Sequence, residues 1–217
     1  METNNNLAAQ LRAGTKEVHT RAERSPFMQG FFQGEVPRQG YRELLARLLP
    51  VYEAMEAHQQ RLADHPAFGQ LNFPQLCRAA ALRRDLEFYY GPDWRAHVIE
   101  TPAVKQYVGR ISELAETWPT GLAAHHYTRY LGDLSGGQMI KRMVQKSFAL
   151  TDDEGVAFYE FPEINDIPAF KNEYRAHLDA MPLDDGEAER IVAEARHAFA
   201  LNVGLFQELD ALRKVAA

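Results

Sequence analysis

Three glycines, one histidine and two sets of cations carry the chemistry legible in this sequence. The run His125-His126-Tyr127-Thr128-Arg129-Tyr130-Leu131-Gly132-Asp133-Leu134-Ser135-Gly136-Gly137-Gln138-Met139-Ile140-Lys141-Arg142 reads as helix on both sides, yet holds three glycines in its middle. A glycine inside a helix costs roughly 1 kcal/mol relative to alanine, so Gly132, Gly136 and Gly137 together give up something like 3 kcal/mol of local helix stability. Gly132 and Gly136 are four apart and share one helix face, which has no Cβ atoms and lets main chain lie against something broad and flat. Small residues at that spacing serve close helix–helix contact equally well. Asp133, Ser135 and Gln138 at the same bend favour a ligand platform, because an apolar seam has little use for an acid and two further polar groups.

His19 lies near the end of the first amphipathic segment, where a single histidine is ordinarily a surface or satisfied core group. Arg12 is two helical turns earlier on the same face, about 10 Å away by helical rise. That is the span from the centre of a metalloporphyrin to its carboxylate edge. Lys171 and Arg175 form a second cationic pair, four apart; like charges at that spacing repel unless an anion lies nearby. Asp179, one turn on, would make the group a solvated Lys-Arg-Asp ladder. Taken together, the parts describe a slot with one imidazole ligand, cations for two carboxylates and a bare, bent helix, which suits a flat, dianionic metalloporphyrin. Other metal chemistry fits less well: a di-iron carboxylate bundle needs two Glu-x-x-His pairs, and Glu194-Ala195-Arg196-His197 is one, read as surface of the last helix. No HExxH motif, phosphate-cradling glycine loop or nucleophile elbow is present. His125 and His126 sit well before the bend and read as packing or solvent residues rather than distal acid/base groups.

Apolar residues recur at three- and four-residue spacing along nearly the whole chain, so the elements positioning these groups are helices. The pattern predicts them at about 7–24, 38–63, 74–90, 101–117, 120–148, 167–180 and 185–213. Thr101-Pro102 reads as an N-cap followed by proline at the first helical position, and Asp184-Asp185 precedes the last helix. Pro50 falls inside the second helix and predicts a kink or break. Gly155 to Pro162 is the one stretch expected to run extended. The reading is an all-α, compact single domain over residues 1–217, with 1–6 a flexible N-terminus.

The length of 217 residues suits one core. A formal net charge of −6 makes nucleic acid an unexpected partner. Cys77 is the only cysteine, so neither a disulfide framework nor a thiolate zinc cluster can form. No secretory signal or membrane-length apolar run is seen, and the C-terminus has no greasy tail, so the expectation is a soluble, cytoplasmic protein without a membrane partner.

The segments Thr15-Lys16-Glu17-Val18-His19-Thr20-Arg21-Ala22-Glu23 and Tyr127 to Gln138 closely resemble the haem oxygenases of the animal and cyanobacterial type. The resemblance extends to Asp85-Leu86-Glu87-Phe88-Tyr89-Tyr90-Gly91, Phe170-Lys171-Asn172-Glu173-Tyr174-Arg175 and Ala198-Phe199-Ala200-Leu201-Asn202, and so covers nearly the whole chain. It implies haem between a proximal helix bearing His19, the iron ligand, and a kinked distal helix at Gly132 to Gly137. By the same resemblance Arg12, Tyr127, Lys171 and Arg175 hold the propionates and Thr15 and Glu23 support the proximal side. Ser135 borders the haem, while Phe199 and Asn202 lie towards the distal pocket. Set against the animal enzymes, the expectation for this chain is that no C-terminal membrane anchor is present.

The activity implied is cleavage of haem, at once cofactor and substrate, at the α-meso carbon to biliverdin IXα, carbon monoxide and ferrous iron. A neutral imidazole gives less electronic push towards O–O cleavage than a thiolate does, and Asp133 is expected to organise the waters that deliver protons, beside the bare Gly132 and Gly136. Besides O2, the reaction needs electrons from a ferredoxin or an NADPH-dependent flavoprotein reductase. Lys16, Arg21, Arg24, Lys141, Arg142 and Lys146 are candidate docking charges, or simply a solvated face. A bilin reductase is an implied downstream partner. The rival readings are a non-catalytic haem carrier or sensor, and a helical enzyme of the thiaminase-like kind, which would not need His19 together with a glycine-rich bend and flanking cations.

Overall fold

The structure is a computed structural model that describes residues 6–35 and 37–215, with side chains as far as Leu212. The described residues are helical and turn structure without a strand. The first five residues of the expected N-terminal segment, and the last two of the chain, lie outside them.

The first helix, α1 (Leu7–Glu23), buries Leu7, Leu11, Thr15 and Ala22. Its principal partner is the last helix, α9 (Glu187–Val215). The two meet closely at Gly14, where a Cβ would lie 2.3 Å from Val192 Cγ1, and Arg196 Nε donates to the Gly14 carbonyl at 2.7 Å. At the start of α1, the Ala8 amide donates to Asp179 Oδ1 at 2.8 Å. Asp179 therefore satisfies an orphan helix-end donor, and the expected Lys171-Arg175-Asp179 ladder is not what this carboxylate serves.

A short helix, α2 (Pro26–Gln33), was not anticipated from periodicity, although its stop and start signals are present. Ser25 Oγ accepts from Met28 N, Pro26 opens the first turn, and Gly34 ends it at φ 73°. Helix α3 (Arg38–Arg61) passes through Pro50 unbroken. A proline inside a helix costs about 3 kcal/mol, but α3 buries Leu44, Leu45, Leu48, Leu49, Val51, Tyr52 and Met55, each contributing roughly 1.5–3 kcal/mol. Burial wins.

Helix α4 (Ala79–Tyr90) starts later than expected. Pro74–Leu76 forms a separate 3-10 turn, and Glu56 of α3 accepts from Ala79 N at 2.8 Å. Helix α5 (Pro102–Thr117) begins where Thr101 accepts from Val104 N, as the sequence predicts. The helix expected over 120–148 is divided. It opens as a 3-10 turn at Pro119–Gly121, continues as α6 (Leu122–His126), widens to a π-helical turn at Tyr127–Leu131 and resumes as α7 (Gly136–Phe148). The π turn comes before the glycines, and Ser135, at φ −117° and ψ −85°, completes the break. Helix α8 (Ile167–Ala180) is capped by Asp166. Between α7 and α8, the Gly155–Pro162 stretch holds a 3-10 turn at Ala157–Tyr159, with Glu160 extended after it.

Candidate active site

A cleft opens between α1, α2, α3, α9 and the broken helix. It encloses about 150 Å³, or about 870 Å³ counting its open mouth. His19, Glu23, Gly132, Asp133, Gly136, Phe199 and Asn202 all line it, together with Met28, Phe32, Leu44, Leu48 and Phe158. These polar groups come from three separate segments of chain; only the fold brings them together.

On the α1 side the His19 side chain is 53% exposed, with Nδ1 3.6 Å from Glu23 Oε2. That distance exceeds hydrogen-bond length, so Glu23 is a neighbour of the ring and not its hydrogen-bond partner. Phe199, expected towards the distal pocket, stands with its ring in T-shaped contact with the His19 imidazole, centroids 5.5 Å apart.

On the broken-helix side the glycines divide into two jobs. A Cβ on Gly132 or Gly136 would meet no heavy atom within 4 Å, whereas one on Gly137 would lie 2.9 Å from Tyr159 Cδ1. Gly137 serves close packing; Gly132 and Gly136 leave main chain open to the cleft. The helix–helix contact expected of the Gly132–Gly136 face is not found there; the close approach falls on Gly137, against a 3-10 turn.

Asp133 is buried and double-bonded into a polar network. Its Oδ2 accepts a short hydrogen bond from the Tyr52 hydroxyl, and Arg129 Nη2 lies 3.5 Å from Oδ1. Arg129 Nε donates to Tyr52 at 2.9 Å and Nη1 to Asn202 Oδ1 at 2.6 Å. Asn202 Nδ2 in turn reaches the Tyr107 hydroxyl at 3.3 Å. Burial raises the Asp133 pKa, only partly offset by Arg129 and the Tyr52 bond. Burial lowers that of Arg129, but Tyr52 and Asp133 outweigh it, and Arg129 is a fixed cation. Tyr52, Arg129 and Tyr107 carry no role in the sequence reading. The Arg129–Asp133 spacing of four was visible; the tyrosines come from other helices and give no local signal.

A second group forms where α1, the π turn and α8 approach one another. Tyr127 is hydrogen-bonded to Thr15 and feels the charges of Arg175 and Arg12, with burial raising its pKa. Thr15 Oγ1 also donates to Leu11 O at 2.7 Å. Lys171 Nζ donates to Ser135 Oγ at 3.2 Å, tying α8 to the break. Arg12 and Arg175 are solvent-exposed and Lys171 is half-buried. These six residues border the site and do not line the cleft.

Two sequence expectations are corrected here. Glu194 is not a surface residue. Its side chain is 6% exposed and accepts from Arg110 Nη2 at 2.6 Å and pairs with fully buried His125 at 2.9 Å. Burial alone would raise its pKa, but the His125 and Arg110 bonds hold it down at about 2. His197 is exposed, as expected. Lys141 is not a free docking charge, since it pairs with Asp153 at 2.8 Å and with Glu160. His126 is a packing residue between the Phe68 and Tyr130 rings, and burial pushes its pKa to about 3. No group of three or more His, Cys, Asp or Glu side chains that could hold a metal ion occurs among the described residues. None of the described helices is long and apolar enough to cross a membrane.

The geometry agrees with the comparisons. The Heme oxygenase family model matches residues 5–208. Heme oxygenase 1 of Synechocystis sp. is 48% identical over 205 residues, 94% of this chain and 85% of that protein. Heme oxygenase 1 of Rattus norvegicus is 45% identical over 208 residues, 95% of this chain and 72% of that protein. The crystal structure of heme oxygenase-1 from Synechocystis in complex with heme superposes with a TM-score of 0.94 at 47% identity, covering 97% of this chain and 95% of that one. The structure of heme oxygenase from Leptospira interrogans gives 0.90 at 42% identity, covering 94% and 99%. With a lone half-exposed histidine, an open glycine face and a buried acid sharing one cleft, and with matches of this extent, the chain belongs to the heme oxygenase family and is a haem-cleaving enzyme.

Proposed function

We propose that this enzyme opens haem at the α-meso carbon, releasing biliverdin IXα, carbon monoxide and ferrous iron. The observation that carries the reading is the pairing of His19 with the Cβ-free Gly132 and Gly136 and the buried Asp133 in one cleft. Haem, as substrate, supplies both the iron at which dioxygen is reduced and the ring that is opened.

The chain's own groups do the rest. His19 would hold the haem iron, with its Nδ1 3.6 Å from Glu23 Oε2, beyond hydrogen-bond length. Gly132 and Gly136 would leave room for dioxygen beside the bound haem, because neither carries a side chain and the space a Cβ would take is open. Asp133, holding its proton more readily than an ordinary aspartate, and Tyr52 beside it pass protons towards the reacting oxygen through water. Arg129 and Asn202 hold that acid in place. Arg12, Tyr127, Lys171 and Arg175 take the propionates, and so decide which meso edge meets the oxygen. Electrons arrive from an acidic ferredoxin or a flavoprotein reductase docking near Lys16, Arg21 and Arg24, which are exposed beside His19.

The test is optical. With haem, oxygen and a reductant, loss of the Soret band and growth of a bilin band supports the proposal. A stable oxygen complex that never bleaches would identify a carrier and overturn it.

A further inference from the structure

Asp85 lies on α4, outside the cleft, and the reaction as described gives it no task. Its side chain is buried and its two oxygens are spent on backbone: Oδ1 accepts from Ala157 N at 2.8 Å and Oδ2 from Phe158 N at 2.7 Å. A buried carboxylate is costly to keep, and here it fixes one 3-10 turn, Ala157–Tyr159.

That turn is the bracket behind the distal wall. Phe158 lines the cleft and stands edge-on to the Tyr52 ring, centroids 5.3 Å apart. Tyr159 packs against the bare Cα of Gly137, and its carbonyl accepts from Gln138 Nε2 at 2.8 Å. The next residue, Glu160, takes Lys141 on its side chain and Arg78 on its carbonyl. The same short segment therefore braces α7 just past the break and the tyrosine that donates to Asp133.

We propose that Asp85 is a positioning residue for haem cleavage: by clamping the Ala157–Tyr159 turn it sets where Tyr52, and through it Asp133, stand relative to the open glycine face. The proposal deepens the oxygenase reading and rests on it.

It carries a pH signature. Only the carboxylate accepts from both amides; the acid form keeps one good acceptor. Burial raises the Asp85 pKa to about 7, the two amide bonds and Arg84 opposing it. The other titratable neighbours are Tyr41, Tyr89 and Tyr159, all held neutral well above this range by burial. The clamp is then complete above pH 7 and weakens as pH falls through it.

The experiment uses the full chain, wild type and Asp85→Asn, with and without haem. Hydrogen exchange at the Ala157 and Phe158 amides is expected to be about tenfold slower in the wild type at pH 8 than at pH 6, after correction for intrinsic chemistry. Asp85→Asn is expected to be fast at both. In turnover, kcat should fall about fivefold in the variant, with haem affinity within twofold and the step near pH 7 gone. Gln138→Ala loosens the same turn from its other side; it should lower kcat while keeping that pH step. Wild-type protection and a wild-type pH profile in Asp85→Asn would overturn the proposal. So would loss of the step in both variants. If wild type fails to bleach haem, the oxygenase reading falls, whereas the exchange result stands or fails independently of it.

Discussion

Adding one methyl at Gly136 and at Gly137 should give opposite results, and the size of each effect follows from the structure. At Gly137 a Cβ would sit 2.9 and 3.3 Å from two Tyr159 ring carbons, well inside ordinary contact. Tyr159 cannot easily yield, because its carbonyl is held by Gln138 and its turn by Asp85. Overpacking of that kind costs typically 1–3 kcal/mol, against which alanine regains at most about 1 kcal/mol of helix propensity. Gly137→Ala should therefore lose up to about 2 kcal/mol, or several degrees in thermal midpoint for a chain of this size. Gly136→Ala meets nothing within 4 Å and should unfold at or slightly above the wild-type temperature. It places its methyl where the proposed ring lies, so the same 1–3 kcal/mol appears as a roughly 5- to 150-fold weaker haem Kd. Calorimetry of haem-free protein and an optical haem titration read the two effects separately. A Gly136→Ala protein that melts early yet binds haem normally would refute this division of labour.

Further outcomes follow from the same contacts. His19→Ala should abolish the imidazole signature in the bound haem spectrum while leaving the haem-free fold unchanged, since the side chain is half-exposed; an unaltered spectrum would remove it as the ligand. Asp133→Ala should divert the reaction to peroxidase-type oxidation of an added phenol and cut bilin yield at least tenfold; bilin formed at the wild-type rate refutes its proton role. Lys171→Ala with Arg175→Ala should turn a single biliverdin isomer into a mixture by chromatography, and a single unchanged isomer would show that orientation is set elsewhere. Glu194→Gln leaves Arg110 and buried His125 short of a charge partner and should cost about 3 kcal/mol in urea unfolding. Because the Glu194 pKa is depressed, its contribution is complete above about pH 4.5 and is lost as pH falls towards 2; the variant's deficit should shrink over that window.

Most of the helices were legible because amphipathic periodicity suffices for them, with a local cap where Thr101 opens α5. The cleft's outline was legible too, since His19, Gly132, Asp133 and Gly136 declare themselves by type and spacing. What escaped was decided by distant partners. Glu194 looks like a surface acid on its own helix, and only α5 and α6 supply the Arg110 and His125 that bury it. Lys141 likewise reads as free until Asp153 and Glu160 fold back onto it. The π turn at Tyr127–Leu131 has no residue code; it appears where the chain must pass from α6 to the bend without losing its burial of Thr128, Tyr130 and Leu131.

Helix α1 is fastened unevenly. Its first turn is pinned by Asp179 and its middle by Gly14 against Val192 and Arg196, while the end that bears His19 is held by the Phe199 ring and by the Gln29 side chain on the Glu23 carbonyl. Asp133 and Tyr52, bonded to each other and through Arg129 to Asn202 of α9, draw none of their hydrogen bonds from α1, so a change at the His19 end leaves the buried acid's own contacts in place.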